Sequence, residues 1–250
     1  MEENKHITVI IPCHNEEKGL EKMLSTFDRS AYQGKGYDID IIVVDNNSTD
    51  DTVNVARRYA VETIHESKRG KGNALVAGFA HISDTTDYIV MLDGDGTYLL
   101  KELPRMIEPL ESNFCHVVVG SRLQGKMSKS SLKYPNRVAN WFFTFLVRRF
   151  YVANVTDVLS GYFAFKPGVV KLLAPHLTSH GFAIEMEIIT KCQKLGFELY
   201  SVPITYDPRE GVSKLNTVSD GLAILAMFFK NLAWRPDTYL KESVRVMTLL

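Results

Sequence analysis

Cysteine is scarce. Cys13, Cys115 and Cys192 are the three thiols in 250 residues, an odd number with no close spacing, so neither a disulfide framework nor a zinc knuckle is indicated and a reducing compartment fits. Net charge is lacking too. Lys plus Arg and Asp plus Glu both number 29, which removes bulk attraction to nucleic acid or anionic lipid and leaves any basic site to a local cluster. Long apolar runs are missing as well: the longest, Leu222 to Phe229, is closed by Lys230 after eight residues. Spanning a bilayer as a helix takes roughly 20. The opening MEENKHITVI carries no apolar signal core. What remains, 45% hydrophobic and 23% charged residues, is the composition of an ordinary globular protein. Its length suffices for one domain whose core needs no covalent staple.

Strand-like runs alternate with helix-like ones, the pattern of a parallel sheet covered by helices. Ile7–Ile11 and Ile39–Val44 are β-branched runs, and Leu20, Met23, Leu24 and Phe27 between them recur at helical spacing. Tyr88–Leu92 and Val117–Val119 read as further strands, separated by a helix over Lys101–Glu111 with Pro104 near its start. Beyond residue 124 the period is helical for a long stretch, and a last strand is expected over Leu199–Thr205. These elements make one α/β domain over residues 1–235, followed by a tail, 236–250, of unassigned role.

Ligands of open parallel sheets bind beyond the carboxyl ends of the strands, and here those ends are polar. The first strand runs into Pro12-Cys13-His14-Asn15-Glu16, the second into Asp45-Asn46-Asn47-Ser48-Thr49-Asp50, the third into Asp93-Gly94-Asp95-Gly96. Asn15 and Asn47 fit a helix cap as well as a ligand contact. Asp93 and Asp95 differ, because two carboxylates two residues apart repel one another unless a cation or a proton lies between them. Oxygen-only donors of that kind suit Mg²⁺ or Mn²⁺ with substrate phosphates completing the shell. Lys71 lies in the glycine-flanked Arg69-Gly70-Lys71-Gly72, which fits either a flexible basic turn or a contact to diphosphate or sugar. It is not a Walker loop.

The ordered set Pro12–Glu16, Val44–Asp50, Gly70–Ala74 and Asp93–Gly96 resembles the signature of family 2 glycosyltransferases with the GT-A fold. The likeness continues through Gly120-Ser121-Arg122, Asp157 with Ser160-Gly161-Tyr162, Gly181-Phe182 followed by Glu185 and Glu187, Val202-Pro203-Ile204, and Arg209–Leu215. That tail is similar to dolichyl-phosphate mannose and glucose synthases, most of all to archaeal enzymes that begin protein N-glycosylation. The resemblance implies that Glu16 and Asp45, with Pro12, Asn15, Asn47, Lys71 and Gly94, serve the base, ribose and sugar of a nucleotide-diphosphate sugar. It also implies that Asp93 lies over ribose or sugar, that Asp95 ligates the metal, and that Asp157 stands near the acceptor, where a cap or salt bridge is the other reading. Thr97 and Tyr98 depart from relatives that carry Gln or His after the triplet, so no third side-chain metal ligand is expected there.

The acceptor sets how much catalytic apparatus is needed. A hydroxyl acceptor wants a positioned base, a role Asp157 would fill in a hydroxyl-directed transferase. A lipid monophosphate, with a second pKa of about 6, is already an anionic nucleophile. It needs holding, and Arg122, Arg209, Ser213 and Lys214 are expected to hold it or the donor diphosphate. Residues 137–151 and 218–234 are aromatic-rich and flanked by Arg or Lys, which suits either helices in a lipid interface or helices packed on the sheet. A pyrophosphorylase would open with a Gly- and Arg-rich loop in place of Pro12–Glu16, a non-catalytic sugar-nucleotide-binding module would have lost Asp93 or Asp95, and a processive synthase would carry Gln-x-x-Arg-Trp. The expectation is a metal-dependent, inverting transfer of one sugar, from UDP by preference, to dolichyl or polyprenyl phosphate. The enzyme would work peripherally on the cytoplasmic membrane face, without nucleic acid.

Overall fold

In the computed structural model residues 4–128 and 131–248 are described. The chain opens with β1 (Lys5–Cys13), α1 (Glu17–Ser25), the short α2 (Arg29–Gln33) and β2 (Tyr37–Asp45). Then follow α3 (Thr52–Arg58), β3 (Glu62–His65), α4 (Lys71–Phe79), β4 (Tyr88–Met91), α5 (Leu103–Glu111) and β5 (Val117–Ser121). The second half adds α6 (Tyr134–Tyr151), β6 (Phe163–Phe165), α7 (Pro167–Leu173), α8 (Ile184–Leu195), β7 (Leu199–Pro203), α9 (Thr217–Ala233) and α10 (Thr238–Thr248). Among the described residues the strands form one seven-stranded sheet in the order β3-β2-β1-β4-β6-β5-β7. Its pairs are parallel except those of β6, which runs antiparallel to both β4 and β5.

The strands are apolar on both faces because helices cover both. In β1, Ile7, Val9, Ile11 and Cys13 join one core with Val55, Met106 and Ile107, while Ile10 joins the other with Leu75, Ile188 and Phe228. The amphipathic stretch around Leu20 is α1, and it ends before Phe27, which stacks on Tyr32 instead. The expected helix from Lys101 begins at Leu103, preceded by a 3-10 turn over Leu100–Glu102, with Pro104 in the first turn where its missing N–H is no loss.

Two strands escaped the sequence pattern. β3 is a four-residue edge strand without a buried residue, and β6 is three residues long, too short to show a period. Residues 238–248, within the stretch set apart as a tail, form α10, whose Leu240 and Val244 are buried in the same core as α7 and α8. Among the described residues no helix is long and apolar enough to cross a membrane. Both aromatic-rich stretches are helices with one packed face: Phe143, Val147 and Tyr151 of α6 and Ile224, Met227 and Phe228 of α9 are buried. The opposite face of α6 leaves Trp141 64% exposed, with Phe142, Phe145 and Phe150 beside it.

Candidate active site

The parallel ladders β2-β1-β4 bring three polar strand ends to one edge of the sheet. A cleft opens there, lined by Pro12, Glu16, Asn46, Lys71, Asp93, Gly94, Asp95, Phe182, Arg209 and Lys214 among others. A second cavity adjoins it, lined by Arg122, Leu132, Ala139, Phe143, Leu159, Glu185, Tyr206, Ser213 and Ile224. Lys71, Asp93, Asp95, Phe182 and Arg209 line both, so the two cavities meet at those side chains.

At that junction carboxylates and cations interlock. Arg209 donates from Nη2 to Glu16 Oε1 at 2.5 Å and places Nη1 at 3.0 Å from Asp95 Oδ2. Lys214 donates to the same Glu16 oxygen at 2.6 Å and to the Asn15 carbonyl at 2.9 Å. The Nε of Arg209 is buried and, among the described residues, has no hydrogen-bond partner. Burial pushes the Glu16 carboxyl up, against the pull of Lys214 and Arg209. Asp95 is raised by burial and then by the like charge of Asp93, with Arg209 and Thr97 opposing. Thr97 donates its hydroxyl to Asp95 Oδ1 at 2.5 Å and its N–H at 3.1 Å, so the residue that departs from the family pattern orients the aspartate. Tyr98 accepts the Gly161 N–H at 2.8 Å, and a Cβ at Gly161 would stand 2.3 Å from Asp93 Oδ2.

Lys71, the first residue of α4, pairs with both Asp93 Oδ1 and Glu185 Oε1. Burial works against its charge, but the two carboxylates outweigh that and hold the ammonium above the ordinary lysine range. The flanking glycines do not make a flexible turn. A Cβ at Gly70 would lie 2.0 Å from the His180 carbonyl and one at Gly72 1.9 Å from the Ser179 carbonyl, so the segment is clasped against residues 179–180. Gly72 also donates its N–H to His180 O at 3.0 Å. Glu187 fixes that partner loop, accepting from the Thr178 and Ser179 N–H groups and from Lys191. Glu185 is the residue whose role sequence reasoning missed. Its only signal was its place after Gly181-Phe182, yet it is buried against Lys71, and burial raises its carboxyl while Lys71 pulls it down.

Other expected site residues are spent on their own chain. Asn15 and Asn47 adopt φ of 53° and 63°, a left-handed backbone that Asn tolerates. Asn15 Oδ1 accepts the Thr49 N–H at 2.7 Å, and Asn47 Nδ2 donates to the Glu66 and Ser67 carbonyls. Both brace loops and neither caps a helix. Asp45 accepts from Ser48 N–H at 2.9 Å and faces His65 Nδ1 at 3.0 Å. Burial opposes its charge, but the bonds from Ser48 and His65 prevail and lower its pKa. It is not among the residues lining the cleft, whereas its neighbour Asn46 is. Asn46 donates to the Glu66 and Lys68 carbonyls and accepts from Gly70 N–H, pinning the strand end to the Lys71 loop.

Asp157, expected near the acceptor, is occupied by its own chain. It is fully buried and accepts four hydrogen bonds: from Arg122 N–H at 2.8 Å, Nε at 2.8 Å and Nη2 at 2.7 Å, and from Asn140 Nδ2 at 2.6 Å. A carboxylate has about four lone-pair directions, so none is left for a substrate proton; of the two sequence readings the geometry is that of the salt bridge. Arg122, held in this way and lying 5.3 Å over the Tyr206 ring, still lines the second cavity with Arg209 and Ser213. Lys214 lines the first.

The model of Glycosyl transferase family 2 matches residues 8–189. Glycosyltransferase AglJ of Haloferax volcanii is 32% identical over 231 residues, covering 90% of this chain and 71% of that protein. Dolichol-phosphate mannosyltransferase of Pyrococcus furiosus is 32% identical over 227 residues, 84% of this chain but 59% of its own length. Undecaprenyl-phosphate mannosyltransferase of Micrococcus luteus is 28% identical over 232 residues, covering 88% and 91%. Among solved structures, glucosyl-3-phosphoglycerate synthase from Mycobacterium tuberculosis in complex with phosphoglyceric acid superposes with a TM-score of 0.70 at 21% identity, over 94% of this chain and 82% of that one. The same enzyme has been solved with Mn²⁺ and uridine diphosphate. That likeness speaks for the fold; the family match covers most of the chain, and the chain belongs to glycosyl transferase family 2, a glycosyltransferase with the GT-A fold.

Proposed function

We propose that the protein transfers a single sugar from a nucleotide-diphosphate sugar, UDP-linked by preference, to dolichyl or polyprenyl phosphate. The observation that carries this reading is the pair of joined cavities: one at the strand ends, the other holding Arg122 and Arg209 among the junction carboxylates and bounded in part by Ala139 and Phe143 of α6 and Ile224 of α9. The first fits a nucleoside diphosphate against Pro12, Glu16, Gly94 and Lys214. The second fits a phosphate beside Arg122, Arg209 and Ser213, with a hydrocarbon chain leaving along Ala139, Phe143, Leu132 and Ile224. The mannosyltransferase relatives named for dolichol phosphate and undecaprenyl phosphate support this acceptor class.

The carboxylates of Asp93 and Asp95 fit Mg²⁺ or Mn²⁺. They are hard oxygen donors, two rather than a full cage, as suits an ion that completes its shell with phosphate oxygens and water. Asp95 also faces a like charge beside it, which a cation at that point relieves. A bound divalent ion would offset the charge that grows on the leaving nucleoside diphosphate. The chain's own residues do the rest. Arg209 and Lys214, which here neutralise Glu16 and Asp95, can turn to phosphate oxygens. A lipid phosphate oxygen attacks the anomeric carbon as the bond to the diphosphate oxygen breaks, a single displacement that inverts the centre. No base is needed, because the nucleophile is already ionised. That favours this reading over a hydroxyl-directed transferase, whose candidate base Asp157 is fully engaged. The retained Asp93 and Asp95 weigh against a non-catalytic binding module.

The exposed aromatic face of α6, with Arg148 and Arg149 on the same helix, suits a helix lying in a lipid interface. Attachment to the cytoplasmic membrane face, as a step in protein N-glycosylation, is part of the proposal. The test is initial rate with UDP-glucose, UDP-N-acetylglucosamine and GDP-mannose, each offered dolichyl phosphate or dolichol, in Mg²⁺ and in chelator. Transfer confined to the phosphate and abolished by chelation is expected. Preference for the alcohol, or full activity in chelator, overturns the reading.

A further inference from the structure

We propose that Arg209 is a latch: it holds Asp95 in place of a divalent ion, and a diphosphate must draw it off before the ion can bind. The inference rests on the metal-dependent function proposed above and adds an order of events to it. The two oxygens of Asp95 are taken in different ways. Oδ1 accepts from the hydroxyl and the N–H of Thr97, two residues along the same turn. Oδ2 is the oxygen left for a metal, and Arg209 Nη1 stands 3.0 Å from it. The other carboxylate of the turn is also paired, Asp93 with Lys71. A divalent ion arriving alone must therefore displace a guanidinium from the oxygen it needs, and it meets that positive charge at close range.

A diphosphate changes that balance, because its oxygens accept from a guanidinium two at a time and offer Arg209 an anion of its own. Three features fit Arg209 to such an exchange of partners. Its Nε is buried and, among the described residues, unpartnered, so the pairing with Glu16 and Asp95 leaves a donor unspent that a phosphate oxygen can accept from. The backbone on either side is pinned without the help of the guanidinium: Asp207 N–H donates to the Thr97 carbonyl at 2.9 Å, Glu210 N–H to the Asp95 carbonyl at 3.1 Å, and Lys22 holds the Glu210 side chain at 3.3 Å. The loop thus keeps its register with the Asp95 turn when Arg209 lets go, and only one side chain has to move. Glu16 is not stripped by that move either, since Lys214 donates to the same Oε1. The empty site therefore resists free metal, and the ion enters with the nucleotide.

The experiment titrates Mn²⁺ into the wild-type protein and Arg209→Gln without nucleotide, counting the free aquo ion by electron paramagnetic resonance. Arg209→Gln is expected to bind Mn²⁺ about tenfold or more tightly than wild type, the size of an ordinary coupling between two competing ligands. A damaged site would bind the ion more weakly, so a gain in affinity is specific to the latch. Equal or weaker binding by the variant overturns it. A second arm uses wild type alone and stands even if the variant does not fold. With UDP or GDP present, and the metal chelated by free nucleotide subtracted from a protein-free control, wild type should hold Mn²⁺ at least about tenfold more tightly than when empty. Equal affinity with and without the nucleotide refutes the latch alone. If no Mn²⁺ is held in any state, the metal site of the proposed function fails, and the latch with it.

Discussion

Replacing Asp157 with alanine strips a buried guanidinium of its counter-ion. Asp157 is fully buried and Arg122 is 7% exposed, so water cannot take over the three bonds that Arg122 makes to the carboxylate. Asn140, itself buried, loses its acceptor as well. Removing one partner of such a pair costs about 3–5 kcal/mol. At roughly 2–4 °C per kcal/mol for a chain of this size, the melting temperature should fall by about 6–20 °C. Scanning calorimetry reads that directly. Replacing both partners, Arg122→Leu with Asp157→Leu, should cost less than Asp157→Ala alone, because no unpaired charge is left behind. The reasoning separates support from chemistry: an Asp157→Ala protein that melts within about 2 °C of wild type yet has lost all transfer would return Asp157 to the role of base. It would also return the acceptor to a hydroxyl.

Two further expectations test the supports of the junction. Burial opposes the charge of Glu187, but its bonds from Lys191, Thr178 and Ser179 prevail and hold its carboxyl below the ordinary range. Such a group adds stability above its unfolded value, about 4.3, and loses it as the pH falls. The melting-temperature gap between wild type and Glu187→Gln should therefore be wide at neutral pH and close on acidification; a gap independent of pH refutes it. Gly161→Ala pushes a methyl onto Asp93, 2.3 Å from Oδ2, and should cut the initial rate of transfer about tenfold or more, whereas a wild-type rate would show that the Asp93 position is not critical.

The strand ends were legible because a run such as Ile39–Val44 followed by Asp45 declares both the strand and the polar turn. β3 and β6 were not, since an edge strand needs no apolar residue and three residues show no period. The reach of the carboxyl-terminal loop was equally hidden. Lys214 meets Glu16 from 198 residues away, and nothing in either segment's pattern states that distance. The loop around Lys71 misleads in the other direction. Gly70 and Gly72 look like freedom in the sequence, but they are glycine because the carbonyls of residues 179 and 180 leave no room for a Cβ.

What motif reading cannot separate is the carboxylate that meets a ligand from the one that builds the site, because both stand in the same signature. The bonding partners make the distinction. Asp157 is tied to a buried guanidinium and a backbone N–H, and Asp45 to the turn that follows it. Glu16, Asp93, Asp95 and Glu185 are paired instead with the tips of Lys71, Arg209 and Lys214. A long side chain ending in a single cation can swing to a phosphate while its carboxylate turns to a metal or a hydroxyl. Under the proposed function, an exchangeable counter-ion marks Glu16, Asp93 and Glu185 as carboxylates open to substrate, while Asp95, which also accepts from the Thr97 N–H and hydroxyl, belongs to the frame and to the site at once.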